Sequence, residues 1–288
     1  MNVRIPGSAA NLGPGFDTLA VALCIYTEVS VVASETFSLE TLGQGAEFGE
    51  LPDEHLGVQV AREVLGTDKF KMRVSSDIPP SRGLGSSAAL ALGAAVAAGA
   101  KDPLEIATRY EGHLENVGAS MFGGLITACA SSRGPVIRRL PLDDDISFVV
   151  VVPEFQLSTR RAREVLPARV PLSDVQDNLG RMGVLIAGLG RHQDFDPVCV
   201  QDTIHQPYRQ ELYPESKELI DGLMELGALG ATWSGAGPSI IAICQVDRAG
   251  QVARESESLV AGLGIRASIL SLPADRCGLV QTDSQVTR

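Results

Sequence analysis

Residues 78–99, IPPSRGLGSSAALALGAAVAAG, join a glycine–serine turn to a run of small apolar residues, and the chemistry this combination suits is phosphate binding. Gly83 and Gly85 lack a Cβ, so the backbone there can approach a ligand closely. Ser86 and Ser87 add hydroxyls where the first N–H groups of a helix have no internal partner, and those donors at the positive helix end suit an anion. The same letters also make an ordinary helix cap, and the segment alone does not decide between the two. A Walker A loop is excluded, because no lysine stands between Lys71 and Lys101. The looser dinucleotide fingerprint fits residues 83–88, with Glu105 about twenty residues on where a ribose-binding acid is expected. Its context argues otherwise: residues 77–82 separate the turn from any strand, and Glu105 sits in DPLEIATRYEGH, which reads as helix.

Five other segments carry polar groups among turn residues. Asn11, Gly13, Pro14, Gly15 and Asp17 form a tight loop whose amide and carboxylate either bond their own turn or shape a rim. Gly112, His113, Glu115 and Asn116, followed by Gly123 and Gly124, read as a surface that a ligand approaches, although His113 also suits a core position. Thr159 caps a short helix bearing Arg160, Arg161 and Arg163; three arginines usually mark a charged face, but the spacing of four puts Thr159 and Arg163 on one side. HQPYR ends at Arg209, and Ser234-Gly-Ala-Gly-Pro238 joins two strand-like stretches, as hairpin turns commonly do.

The elements that must position these residues follow from periodicity. Strands are expected at 2–8, 19–32, 69–76, 125–130, 136–140, 146–152 and 265–272, and helices at 54–65, from the glycine turn to 99, 102–111, 175–190, 214–226 and 247–262. Asp102-Pro103 is a cap followed by a first-turn proline. The acidic turn at Asp143, Asp144 and Asp145 divides two domains, 1–143 and 144–288. With 288 residues and 44% hydrophobic content there is ample core material, and a net charge of −11 disfavours nucleic acid or an anionic membrane as partner. Only four of the 24 basic residues are lysines, and an arginine excess suits bidentate binding of carboxylate or phosphate, or reflects codon habit. The five cysteines are scattered without metal-like spacing, and neither a signal peptide nor a membrane span is visible, which together predict a cytoplasmic protein.

In order and spacing, PGSAANLGPGFD, PPSRGLGSSAA and SGAGPSI resemble the three motifs of the GHMP kinases, and EGHxxN, LST..AR.VLP and HQPYR resemble the homoserine kinases among them, over nearly the whole chain. The resemblance implies an α+β fold, with an N-terminal domain similar to the second domain of ribosomal protein S5 and a ferredoxin-like C-terminal domain. It implies ATP-dependent phosphorylation of the L-homoserine hydroxyl in the route to threonine, with ATP and Mg²⁺ as cofactors and a homodimer as one arrangement. Carried over by motif, Pro80, Ser81, Arg82, Gly83, Leu84, Gly85, Ser86, Ser87, Ala88 and Ala89 hold the nucleotide phosphates, while Ser87 and Glu105 hold the metal. Asn11, Asp17, His113, Asn116, Thr159, Arg163 and Arg209 bind the amino acid: both arginines suit its carboxylate, Asp17 its ammonium or hydroxyl, and Asp17 and Asn116 stand closest to catalysis. Several GHMP kinases carry aspartate, a possible base, where this chain has Asn116, so catalysis is expected to rest on alignment and charge neutralisation. Homoserine kinases usually read GHPDN where this chain reads GHLEN, with Leu114 for proline and Glu115 for aspartate. Alternatives are a GHMP-type kinase of another small hydroxy compound, or a nucleotide-binding regulator without turnover.

Overall fold

A computed structural model describes residues 1–46 and 51–282. The first half builds a sheet from β1 (Asn2–Asn11), β2 (Gly15–Ala33), β3 (Ser38–Gly43), β4 (Phe70–Ser76), β5 (Leu125–Ser131) and β6 (Gly134–Leu140). β1 and β2 form one long hairpin, so both run closer to the loop around Asn11 than apolar alternation suggests. β2 is long enough to take two partners along its length: its residues 27–33 pair with β4, and residues 19–21 pair with β5.

Four helices pack with this sheet: α1 (Leu56–Leu65), α2 (Ser86–Ala97), α3 (Pro103–Glu111) and α4 (Leu114–Phe122). Small side chains let α2 take the central position, with Ala88, Ala89, Ala91, Leu92, Ala94 and Ala95 buried against β1, β2 and the other helices. Its first turn is thereby held at the end of the β1–β2 hairpin. Asp102 caps α3 as expected, accepting from the Glu105 N–H at 3.0 Å.

The second half is β7 (Ile146–Pro153), α5 (Thr159–Glu164), α6 (Leu172–Gly190), α7 (Gln206–Arg209), α8 (Ser216–Glu225), β8 (Gly230–Trp233), β9 (Ile240–Gln245), α9 (Val246–Gly262) and β10 (Ala267–Pro273). Its antiparallel sheet has the order β10-β7-β9-β8. With helices between β7 and β8 and between β9 and β10, this is the β-α-β-β-α-β pattern of a ferredoxin-like domain.

Four of these elements were not expected: β3, α4, α7 and a final strand β11 (Val280–Thr282), which returns to pair with β1. A division at residue 143 therefore separates the strands of the two sheets except β11; residues of the 144–288 span beyond 282 lie outside the described residues. α5 is capped by Ser158, which accepts from the Arg161 N–H at 3.2 Å, and not by Thr159; the hydroxyl one residue earlier meets the helix end.

Candidate active site

Gly85 stands at the N-cap of α2 in left-handed conformation, φ 66°, and no side chain caps the helix. The first intrahelical bond is from the Ala89 N–H to the Gly85 carbonyl at 3.0 Å, leaving the N–H groups of Ser86, Ser87 and Ala88 without helical acceptors. The simple-cap reading of this turn is thus excluded. Ser81, Gly83, Leu84, Gly85, Ser86 and Ser87 all line one cavity of about 140 Å³.

The two glycines are required by the protein's own packing as well as by any ligand. A Cβ on Gly83 would overlap the Ser234 carbonyl oxygen, and one on Gly85 would overlap the Ser8 hydroxyl. Ser234 Oγ donates to the Gly83 carbonyl at 2.6 Å, the Ser8 N–H to that of Leu84 at 3.0 Å, and the Gly235 N–H to that of Ala10 at 2.9 Å. The three glycine-rich segments are therefore tied into one body.

Across the cavity, Asn11 acts as a brace: Nδ2 donates to the Gly235 carbonyl at 2.8 Å, and Oδ1 accepts from the Asp17 N–H at 3.0 Å. Asp17 accepts from Arg163 Nη2 at 2.7 Å, an ion pair joining the start of β2 to α5. Arg163 and Arg209 both lie 5.4 Å from the centre of the Phe16 ring. Arg209 is only 2% exposed. Its Nε donates to the Ala162 carbonyl at 3.2 Å, and its Nη1 to the Gly235 carbonyl at 2.9 Å and to His205 Nδ1 at 3.1 Å. Nη2 is left as the guanidinium nitrogen without an acceptor among the described residues.

Burial, helped by neighbouring Arg163, lowers Arg209 to about 10, still charged at neutral pH. Burial likewise pushes His205 down to about 4, so its ring is neutral. That ring stacks on Phe16 at 4.9 Å and donates from Nε2 to the Gly13 carbonyl at 2.8 Å, which leaves Nδ1 to accept from Arg209.

The fourth wall comes from the junction of α3 and α4, where Gly112 (φ 78°) turns the chain and brings Glu111, His113, Glu115 and Asn116 to the cavity. Asn116 Oδ1 accepts from Ser8 Oγ at 3.0 Å, and its Nδ2 donates to Glu115 Oε1 at 3.2 Å. Glu115 is 2% exposed, and burial raises its carboxyl to about 7. His113 Nδ1 lies 3.4 Å from Glu111 Oε1, and this hydrogen bond raises the imidazole above its ordinary value.

The substrate residues expected from the sequence, Asn11, Asp17, His113, Asn116, Thr159, Arg163 and Arg209, all line this cavity with most of the glycine loop. Five expected residues stand elsewhere. Ala88 and Ala89 are buried in the core, and Pro80 lines a second cavity. Arg82 bonds the backbone of the second domain. Glu105 is exposed on the first turn of α3. Glu111, which the sequence reading did not place in the site, and Glu115, read on a ligand-facing surface but not as a binding residue, both line it. The Ser87 hydroxyl and the Glu111 carboxylate are hard oxygen donors lining the cavity at the uncapped start of α2, a chemistry that fits Mg²⁺, whereas Glu105 is not among the lining residues. The acid–histidine group at Asp143, Asp145 and His192 is structural, since Asp143 Oδ2 accepts from both the His192 N–H at 2.7 Å and its ring Nδ1 at 2.8 Å.

The second cavity, about 560 Å³, shares Ser86 with the first. Phe37, Leu39, Val74 and Leu90 give it apolar walls, and Ser38, Thr41 and His55 give it polar ones. A flat heterocycle with a few polar edges suits such a space.

Residues 55–124 match the GHMP kinases N terminal domain, and residues 176–258 match GHMP kinases C terminal. The homoserine kinase of Moorella thermoacetica is 36% identical over 294 residues, covering 96% of this chain and 98% of that protein. That of Persephonella marina is also 36% identical over 294 residues, covering 96% and 97%. The crystal structure of homoserine kinase from Cytophaga hutchinsonii superposes with a TM-score of 0.84 at 25% identity, covering 97% of this chain and 96% of that one. The chain belongs to the homoserine kinase family of the GHMP kinases.

Proposed function

We propose that this chain transfers the γ-phosphoryl group of ATP to the side-chain hydroxyl of L-homoserine, giving O-phospho-L-homoserine and ADP on the route to threonine in the cytoplasm. The observation that carries this reading is one cavity that combines the uncapped start of α2 with two arginines and three carboxylates, complementary to a phosphate at one end and a zwitterion at the other. Family membership supports the substrate. Among the described residues no helix is long and apolar enough to cross a membrane.

In this reading the second cavity takes the adenosine end, and Ser86, where the two cavities meet, marks the path of the phosphates. Ser87 and Glu111 would hold Mg²⁺, which would supply charge neutralisation to the phosphates. Arg163 and the Nη2 edge of Arg209 bind the substrate carboxylate, while Glu115 and Asp17 meet its ammonium. Thr159 lines the same wall. Asn116, held by Ser8, positions the hydroxyl whose oxygen bonds to the γ-phosphorus as the bond to the β–γ bridging oxygen breaks. An amide takes no proton at neutral pH, so the hydroxyl proton passes late to a phosphoryl oxygen, as a loose transition state permits. The uncapped N–H groups of α2 stabilise the charge on the transferred group.

The test is ADP release with Mg·ATP across L-homoserine, L-threonine, L-serine, mevalonate and galactose. Turnover on homoserine, lost in Arg163→Ala, supports the reading. Turnover on another alcohol alone keeps the kinase and removes the substrate, and ATP binding without turnover on any of them points to a regulator.

A further inference from the structure

Arg82 sits inside the glycine loop but is not among the residues lining the cavity, and all three nitrogens of its guanidinium donate to backbone carbonyls. Nε donates to the Pro153 carbonyl at 2.7 Å, Nη1 to the Pro80 carbonyl at 3.1 Å, and Nη2 to the Glu154 carbonyl. Pro153 ends β7, and the next few residues lead directly into α5, which carries Thr159 and Arg163. A second tie lies alongside, where the Leu157 N–H donates to the Ser81 carbonyl at 3.4 Å. The backbone of Arg82 itself accepts from the Ser239 N–H at 3.3 Å, so the loop is anchored to the second domain on two sides.

We propose that Arg82 is a positioning residue that couples the two substrates: by bridging the phosphate loop to the Pro153–Glu154 backbone, it makes the setting of that loop and the placement of Arg163 one event. This rests on the kinase reading of the cavity. A loop ordered by nucleotide then presents α5 in its substrate-binding position, and by linkage homoserine tightens nucleotide binding by the same factor. The planar fork matters, because its three nitrogens reach three carbonyls from fixed directions, whereas a lysine ammonium at that distance serves as a single flexible donor.

The experiment measures L-homoserine binding by calorimetry with and without the inert nucleotide AMP-PNP and Mg²⁺, in the parent chain, Arg82→Ala and Arg82→Lys. Circular dichroism checks folding, and the lysine variant, which keeps charge and length, guards against a misfolded alanine variant. The parent is expected to bind homoserine at least about 5-fold more tightly with nucleotide present. In folded variants that ratio falls to about one, nucleotide affinity alone stays within about twofold, and the steady-state KM for homoserine rises while that for ATP does not. Retention of the ratio in either folded variant overturns the proposal. So does a loss of nucleotide affinity of about tenfold or more, which makes Arg82 a direct phosphate ligand. A parent that binds homoserine without coupling defeats only this inference; a parent that binds no homoserine in either condition defeats the substrate reading as well.

Discussion

In the proposed site Arg163 and Arg209 serve one carboxylate, but they differ in what else they hold. Arg209 is buried with three protein acceptors, so Arg209→Ala strands the Ala162 carbonyl and His205 Nδ1 and is expected to cost about 2–4 kcal/mol of stability in addition to activity. Arg163 is half-exposed and paired with Asp17, so Arg163→Ala is expected to cost under about 1 kcal/mol while raising the KM for homoserine at least about tenfold. Urea titration alongside kinetics separates the two, and equal stability losses would contradict this division of roles. Glu115 offers a test by pH. Its carboxyl is raised to about 7 in the folded chain, so the native state holds a proton that the unfolded state releases earlier. Its contribution is present below the ordinary glutamate range and is lost as pH rises through about 7. Between pH 5 and pH 8 the parent should therefore lose stability relative to Glu115→Gln, by on the order of 2 kcal/mol. Parallel pH slopes in thermal melts of the two proteins would show that the proton is not held.

At the scale of the element, the turn into α2 and the turn between α3 and α4 each do a separable job. Gly85 has both a left-handed φ and a neighbouring Ser8 hydroxyl where a Cβ would stand. Gly85→Ala is expected to destabilise the chain by at least about 1 kcal/mol and to weaken nucleotide binding, read by urea titration and calorimetry. A neutral effect would mean that this turn relaxes without cost. In the proposed site the α3–α4 turn decides which acid would meet the metal. Glu111 precedes the left-handed Gly112 and lines the cavity, whereas Glu105 lies near the opposite, exposed end of α3. Glu111→Gln should raise the Mg²⁺ concentration for half-maximal turnover about tenfold or more, and Glu105→Gln should leave it within about twofold. The reverse pattern would return the metal to Glu105.

At the scale of the whole molecule, the two sheets are joined by more than the chain between them. After β10 the tail crosses back, and Asp275 accepts from the Tyr26 hydroxyl at 2.9 Å and from the N–H groups of Cys277 and Gly278 at 2.9 and 2.6 Å before β11 pairs with β1. Asp275 is 5% exposed, so Asp275→Ala leaves buried donors unpaired at a cost of about 1–3 kcal/mol. It should lower the melting temperature of a single transition, because the tail ties both sheets into one cooperative unit; two resolved transitions in the parent chain would refute that.

Residue types and spacing by themselves determined the candidates. Ser86 and Ser87 before an alanine-rich helix and Arg163 four residues after Thr159 stood out as groups able to bind, Arg209 at the end of HQPYR entered through the motif resemblance, and all four line the cavity. Most strands and helices were equally legible, because each has a clear apolar period or cap, as Asp102-Pro103 does for α3. What local pattern does not carry is direction and distant support. α4 was read as a ligand-facing glycine-rich segment because Asn116 and Gly118 are poor helix signals; burial of Val117, Ala119 and Ser120 against the β1–β2 hairpin makes it helical. β3 has few buried residues to mark it, and β11 is three residues long, so both exist only through their neighbours β4 and β1. Likewise Arg82 looked like a phosphate ligand by its place in the loop, until the tertiary structure set the Pro153 and Glu154 carbonyls beside it. Glu111 entered the site for the same reason: only the turn at Gly112 and the packing of α3 on α2 decide which of two glutamates on one helix faces the cavity.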